Sequence, residues 1–226
     1  MHTPLLPLQL LHTCSLGELQ AFNDRVYGEV NARNFFDLYD MASRLSRYNA
    51  RVSLRVRKEE TERTPYHLTM MLSWLFAISN RLGIDLRAEV ASYCKTALSV
   101  YFADPKMSVN APPVRSQGLQ DNAPLSDLQT RFTELHGNTT LEKSALCLAE
   151  KVQGIFSALG YYRETHLAEH FDDVRRRLAQ TVEALCVVAS FLQVDLAEEF
   201  EKCFSNGCST CHHAPCECGY RADKVV

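Results

Sequence analysis

The stretch from Tyr66 to Leu86 constrains the fold more than any other part of the chain. It reads Tyr-His-Leu-Thr-Met-Met-Leu-Ser-Trp-Leu-Phe-Ala-Ile-Ser-Asn-Arg-Leu-Gly-Ile-Asp-Leu. Leu68, Met71, Leu72, Leu75, Phe76, Ile78 and Leu82 recur mostly in steps of three and four, so a helix here turns one wide apolar stripe to a core. Gly83 fits a helix C-terminus that needs φ > 0, and Asp85 fits the cap of the next helix. The same design returns from Leu178 to Leu196 at a shift of 110 residues, where Leu68 meets Leu178, Leu82 meets Leu192, Asp85 meets Asp195 and Glu89 meets Glu199. The chain reads as a duplication.

With 226 residues it is long enough to bury a sizeable core, as one large or two small domains. A hydrophobic content of 46%, a charged content of 23% and a net charge of −3 describe an ordinary globular chain with no bulk attraction to nucleic acid or anionic membrane. The clusters Arg51, Arg55, Arg57, Lys58 and Arg175, Arg176, Arg177 read as solvated helix faces. No apolar run approaches the roughly 18 residues that span a bilayer. The apolar start from Leu5 to Leu11 lacks a basic flank and is broken by Pro7, so it does not read as a signal peptide. Cytoplasmic residence is the default expectation, and there nine cysteines are thiols or metal ligands rather than disulfides.

In order, residues 1–15 form a leader and Leu16 opens an amphipathic helix to about Asn31. A second helix runs from about Phe35 to Asn49, and the charged stretch Arg51 to Arg63 is its extension or a loop. Pro65 suits the first turn of the central helix, and a fourth helix runs from Leu86 to about Phe102. Residues 104–124 hold four of the eight prolines and no apolar period, which marks a linker. Leu125-Ser-Asp-Leu-Gln129 then matches Leu16-Gly-Glu-Leu-Gln20 at a shift of 109. Its second helix is expected from Thr140 to Leu159, with Gly160-Tyr-Tyr turning the chain, and further helices from about Thr165 to Leu192 and from Asp195 to about Phe204. The expectation is an all-α protein of two four-helix repeats, 16–103 and 125–205. A lone repeat would expose its stripe, so the two should pack as a pseudo-twofold bundle ahead of a tail at 206–220.

A helix pair followed by a Trp-containing apolar helix and a Gly-Ile-Asp-Leu junction resembles the MazG-like all-α nucleoside triphosphate pyrophosphohydrolases, over about residues 16–100 and again over 125–205. The resemblance implies cleavage of a nucleoside triphosphate to monophosphate and pyrophosphate. It also implies Mg²⁺ held by a Glu-Glu-x-x-Glu set on one helix and a Glu-x-x-Asp set on the next, and assembly into helical dimers or tetramers. Carboxylates at such spacing share a helix face, and hard oxygens suit Mg²⁺. Carried over residue by residue, the first set falls on Asp40, Met41 and Arg44, and in the second repeat on Glu150, Lys151 and Gly154. The other set falls on His67 and Met70, and on Arg177 and Gln180. Of five positions in each half only Asp40 and Glu150 are acidic, and Met, Arg and Lys do not ligate Mg²⁺ at neutral pH. His67 reads as a polar helix residue rather than a base. A relocated site is the alternative: Glu169-His-Phe-Asp172 is a literal Glu-x-x-Asp, with Glu59, Glu60 and Glu62 similarly placed upstream in the first half. Asp40, Glu150, Glu169 and Asp172 are then the candidate catalytic carboxylates. The competing reading makes these acids solvated complements to helix dipoles.

The tail from Cys203 to Tyr220 carries Cys208-x-x-Cys211, a chelating turn, and Cys216-x-Cys218, with Gly207 and Pro215 letting the chain fold back. Four thiolates this close suit one tetrahedral Zn²⁺, which would supply folding free energy to a segment with no core of its own. His212, His213 and Cys203 are alternative ligands; an iron–sulfur cluster, a redox-active pair or a metal-free tail are the competing readings. Cys14, Cys94, Cys147 and Cys186 sit mostly in apolar helical surroundings and read as small core residues. Three functions follow. The first is a divergent family member that has lost pyrophosphohydrolysis but keeps nucleotide binding or an assembly role. The second is an active Mg²⁺-dependent enzyme with relocated carboxylates. The third is a zinc-knuckle adaptor. With only Arg221 and Lys224 as nearby cations, the tail argues against nucleic acid as its partner.

Overall fold

The computed structural model describes residues 13–33, 37–103, 122–136 and 139–218, without the side chains of 97–103. Most of the linker at 104–124, most of the leader, and Phe35 and Phe36 of the expected second helix lie outside the described residues. Among the described residues there are eight helices: α1 Leu16–Arg33, α2 Leu38–Lys58, α3 Thr64–Leu82, α4 Leu86–Ala103, α5 Leu125–Leu135, α6 Leu141–Thr165, α7 Ala168–Phe191 and α8 Leu196–Phe204. Among the described residues there is no strand, and no single helix is long and apolar enough to cross a membrane.

The helix ends follow local chemistry. Gly83 closes α3 at φ 67, and the Asp85 carboxylate accepts from the Ala88 amide to start α4. Asp195 does the same for α8 with the amides of Ala197 and Glu198. Asp37 and Asp40 form a reciprocal capping box on α2, and Thr140 caps α6. Arg55, Arg57 and Lys58 sit in the last turn of α2, where they complement the dipole. The charged stretch after Asn49 is therefore mostly helix: Val52 and Val56, one turn apart, bury on one face, and the chain turns only at 59–63.

One turn falls elsewhere than the sequence suggests. α6 runs through Gly160-Tyr-Tyr to Thr165, and the reversal is made by His166 in the left-handed region at φ 52. Gly160 is instead a packing residue, since a Cβ there would stand 3.4 Å from the Tyr39 hydroxyl on α2. Tyr162 then packs on Phe171 of α7 at 5.1 Å between ring centres, which holds the helix hairpin one turn later.

The core forms around α3 and α7. α3 buries residues around its whole circumference, from Leu68 through Met71, Leu72 and Leu75 to Ile78, and α7 does so from Thr181 to Ala189. Helices apolar all round belong in the interior. α3 contacts α1, α2, α7 and α8; α7 contacts α3, α4, α5 and α6. Exchanging α1–α4 with α5–α8 maps the principal helix contacts onto one another: α2·α3 onto α6·α7, α1·α3 onto α5·α7, α1·α4 onto α5·α8 and α4·α7 onto α3·α8, while α2·α6 and α3·α7 map onto themselves.

A polar bridge repeats under the same exchange. Gln20 of α1 donates from Nε2 to the Ile84 carbonyl (2.7 Å) and to Asn80 Oδ1 (2.8 Å), and accepts at Oε1 from the Leu86 amide (3.0 Å). Gln129 of α5 donates to the Val194 carbonyl (2.6 Å) and the Ser190 hydroxyl (3.2 Å), and accepts from the Leu196 amide (3.1 Å). Each glutamine satisfies the backbone of a junction between two helices that would otherwise lie buried and unpaired. Ser15 and Pro124, the residues just before α1 and α5, pair with each other through an isolated bridge.

Candidate metal centre and the placement of the candidate carboxylates

Beyond α8 the chain folds back into a small thiol-lined knuckle. Gly207 holds φ 100, and a Cβ there would stand 2.6 Å from the His213 carbonyl oxygen, so glycine is required by both conformation and space. The Cys208 amide donates to that same carbonyl (2.9 Å), and the His212 amide donates to the Cys208 carbonyl (2.9 Å). A cis Ala214–Pro215 bond leads into Cys216.

The sulfurs of Cys208, Cys211, Cys216 and Cys218 all lie within 4.8 Å of one another. Cys208 and Cys218 are 3.8 Å apart, as are Cys211 and Cys216. A tetrahedron with metal–sulfur bonds of about 2.3 Å has edges of about 3.8 Å, so the spacing matches four thiolates around one ion of the size of Zn²⁺. Backbone amides support the sulfurs: Thr210 donates to Cys208, Glu217 to Cys211 and Cys218 to Cys216, each at 3.4 Å. Burial raises the Cys211 thiol, but the amides of His213 and Glu217 and the neighbouring thiols outweigh it and bring it down to about 6. Burial pushes Cys216 and Cys218 up. Crowded thiols release one proton readily and resist losing the next, until a dication compensates the charge.

The knuckle rests on α1. The Cys216 amide donates to the Val26 carbonyl (2.7 Å), the Ser209 amide to the Tyr27 hydroxyl (3.2 Å), and Arg33 to the Cys216 carbonyl (3.4 Å). Tyr27 stands edge-on to Phe204 at the end of α8, and burial pushes its hydroxyl pKa up. The alternative ligands stand outside the gathered set. His213 pairs with the Glu217 carboxylate at 2.7 Å, His212 is exposed, and Cys203 lies on α8 with its thiol raised by burial.

The four candidate carboxylates have other partners. Asp40 is the reciprocal acid of the α2 capping box. Glu150 is exposed on α6, 3.8 Å from Lys151. Glu169 is exposed in the first turn of α7, 3.9 Å from His170. Asp172 accepts from Arg175 at 3.0 Å, and Arg175 also binds Glu89 of α4. Among the described residues, the side chains whose ligand atoms gather as a metal site are the four tail cysteines.

The positions that the sequence resemblance sets against the acidic motifs hold other chemistry. Met41 and Met70 are buried, and Arg44 lies over the Trp74 ring at 5.3 Å. His67 is buried between the rings of Tyr48 and Tyr66; burial and the fields of Arg51, Arg55 and Arg63 hold its imidazole below the usual value. In the second half, Arg177 packs along Gly154, its Cδ 3.2 Å from where a Cβ would stand.

A further buried network escaped the sequence reading. Glu183, inside the apolar run of α7, accepts from the Tyr93 hydroxyl of α4 (2.7 Å) and pairs with His136 after α5 (3.0 Å). A lone acid between Val182 and Leu185 was its one sequence signal. Compared with known proteins, the chain matches no family model, no curated protein and no solved structure.

Proposed function

We propose that the chain is a divergent MazG-like protein, two four-helix repeats fused into an internal pseudo-dimer, that has given up pyrophosphohydrolysis and keeps a nucleotide-binding or assembly role. The tail in this reading is a structural zinc knuckle. The observation that carries it is the exchange relation of the helix contacts, which a fused pair of like four-helix units would produce. The glutamine bridges Gln20 and Gln129, made to corresponding backbone atoms, support the same ancestry.

Loss of the reaction is supported by what occupies the aligned positions. Methionines at 41 and 70 are part of the core. An arginine beside Gly154 brings positive charge to a place where the family would bring carboxylates. Cys208, Cys211, Cys216 and Cys218 would hold the Zn²⁺, and four thiolates leave it no open position, so its contribution is structural.

The test is pyrophosphate release from a panel of standard and modified nucleoside triphosphates with Mg²⁺ or Mn²⁺, on wild type, Glu150→Gln and Asp172→Asn. The expected result is no turnover, with a rise in melting temperature for the nucleotide that is held. Turnover abolished by both substitutions would overturn the reading in favour of an enzyme with relocated carboxylates.

A further inference from the structure

We propose that the outer face of α2, together with Tyr66 of α3, is a docking surface for single-stranded nucleic acid. From Met41 to Lys58, α2 carries six cations and no acid. Arg44, Arg47, Arg51, Arg55 and Lys58 follow one another at steps of three and four, so they share one stripe about 21 Å long with a cation at each turn. Arg47, Arg51 and Lys58 are exposed, and Arg44 and Arg55 are half-buried.

Like charges three and four residues apart repel, and interleaved acids ordinarily relieve them. The other basic cluster has that relief: Arg175 binds Glu89 and Asp172, while Arg176 and Arg177 bind Asp173. On α2, Glu60 takes Arg55, but among the described residues Arg47, Arg51, Arg57 and Lys58 have no carboxylate partner. The helix dipole accounts for the cations of the last turn, not for Arg44, Arg47 and Arg51. A chain of net charge −3 thus carries one uncompensated positive face, which suits a polyanion.

Aromatic rings border the stripe. Arg44 lies over Trp74 of α3, and Arg51 over Tyr48 at 5.4 Å. Tyr48 packs against Tyr66 with ring centres 6.4 Å apart, and Tyr66 is 42% exposed. The fields of Arg51, Arg55 and Arg63 meet at His67 behind these two rings, so positive potential gathers on the same edge. Cations that follow a phosphate backbone, beside an open ring that stacks on a base, are the parts of a single-strand site. A duplex would keep its base faces from the ring, and an acidic peptide would leave the ring unused.

The second half gives the contrast. At the shift of 110 that sets Asp40 against Glu150, Arg44 becomes Gly154, Arg47 becomes Ser157, Arg51 becomes Tyr161 and Arg55 becomes Thr165. The stripe is therefore a property of the first half and not a requirement of the shared helix plan. A mononucleotide would not span it, so the surface is independent of the nucleotide reading.

The test is fluorescence anisotropy on the full chain, metal-loaded, with a labelled oligothymidylate of about twelve nucleotides, the same strand in a duplex, and labelled polyglutamate. The single strand should bind saturably at about 50 mM salt, at least about tenfold more tightly than the other two. With four cations engaged, the logarithm of the binding constant should fall against that of salt with a slope of about −3. Arg47→Gln combined with Arg51→Gln should reduce the slope to about −1.5 and weaken binding at least about tenfold. Tyr66→Ala should weaken it about tenfold with the slope unchanged, and Arg176→Gln, in the neutralised cluster, should change neither. Circular dichroism checks that each variant is folded. No saturable binding of the single strand, equal affinity for the duplex or polyglutamate, or binding indifferent to the α2 and Tyr66 variants would each overturn the proposal.

Discussion

The first four helices and the last four meet the same packing problem with different interiors. Both close the junction between their last two helices with a glutamine, Gln20 or Gln129. In the first half the space beside that bridge is polar, with Asn23 on Ser73 and a cavity against α2 and α3. In the second half the buried Phe132 stands at the position of Asn23, and the buried acid Glu183 is tied to Tyr93 of the first half. The tail knuckle extends α8, yet it docks on α1 and so adds a further link between the halves. A shared backbone plan thus fixes the helices and their junctions, while the side chains between them are free to specialise.

The largest expected effect tests the shared part. Gln20→Ala and Gln129→Ala each strip a buried carbonyl and a buried amide of their partner, so each should cost about 2–3 kcal/mol in urea unfolding. If one costs that much and the other nothing, the two junctions are not equivalent. Next comes the part that differs. Tyr93→Phe removes a hydrogen bond to a buried carboxylate and should cost about 1.5–3 kcal/mol, against about 1 kcal/mol for Ser73→Ala in the first half. Equal costs would say that the charged link between the halves carries no special weight.

Smaller effects sharpen the comparison at the helix ends. Gly83 and Gln193 occupy the same left-handed place, at φ 67 and φ 56. Gly83→Gln should cost about 1 kcal/mol and Gln193→Gly should recover less than that, because glycine also loosens the unfolded chain. The smallest effect is a pH dependence. Burial and the three arginines depress the folded-state value of His67, so the unfolded chain binds that proton more readily. Stability present at neutral pH is therefore lost as pH falls through the unfolded value of about 6.5. His67→Gln should flatten the melting temperature between about pH 7 and pH 5.

Local chemistry was legible in the sequence wherever it acts over a few residues. The buried apolar positions of α3, the Gly83 stop, the caps Asp85 and Asp195, and the four tail cysteines are each decided by near neighbours and found where their residues point, although α3 is buried all round rather than along one stripe. What failed needs a partner distant in the chain. Gly160 looks like a turn until Tyr39 of α2 is packed against it. The stretch after Asn49 looks ambiguous until Val52 and Val56 find the core. The docking of Cys216 on Val26 joins residues 190 apart, and nothing local to either signals it. Asn23 and Glu183, the polar groups that distinguish the halves, gain their meaning from helices that sequence order does not bring together.

The most direct measurement for the whole account is metal content of the purified full chain, followed by thermal unfolding with and without a chelator. One zinc per chain is expected, lost in Cys216→Ser. Its removal should lower the melting temperature of the whole bundle through the contacts on α1, not of the tail alone. A chain that holds no metal, or whose unfolding is indifferent to chelation and to Cys216→Ser, would contradict the claim that the knuckle is a structural metal centre stapled to the first helix.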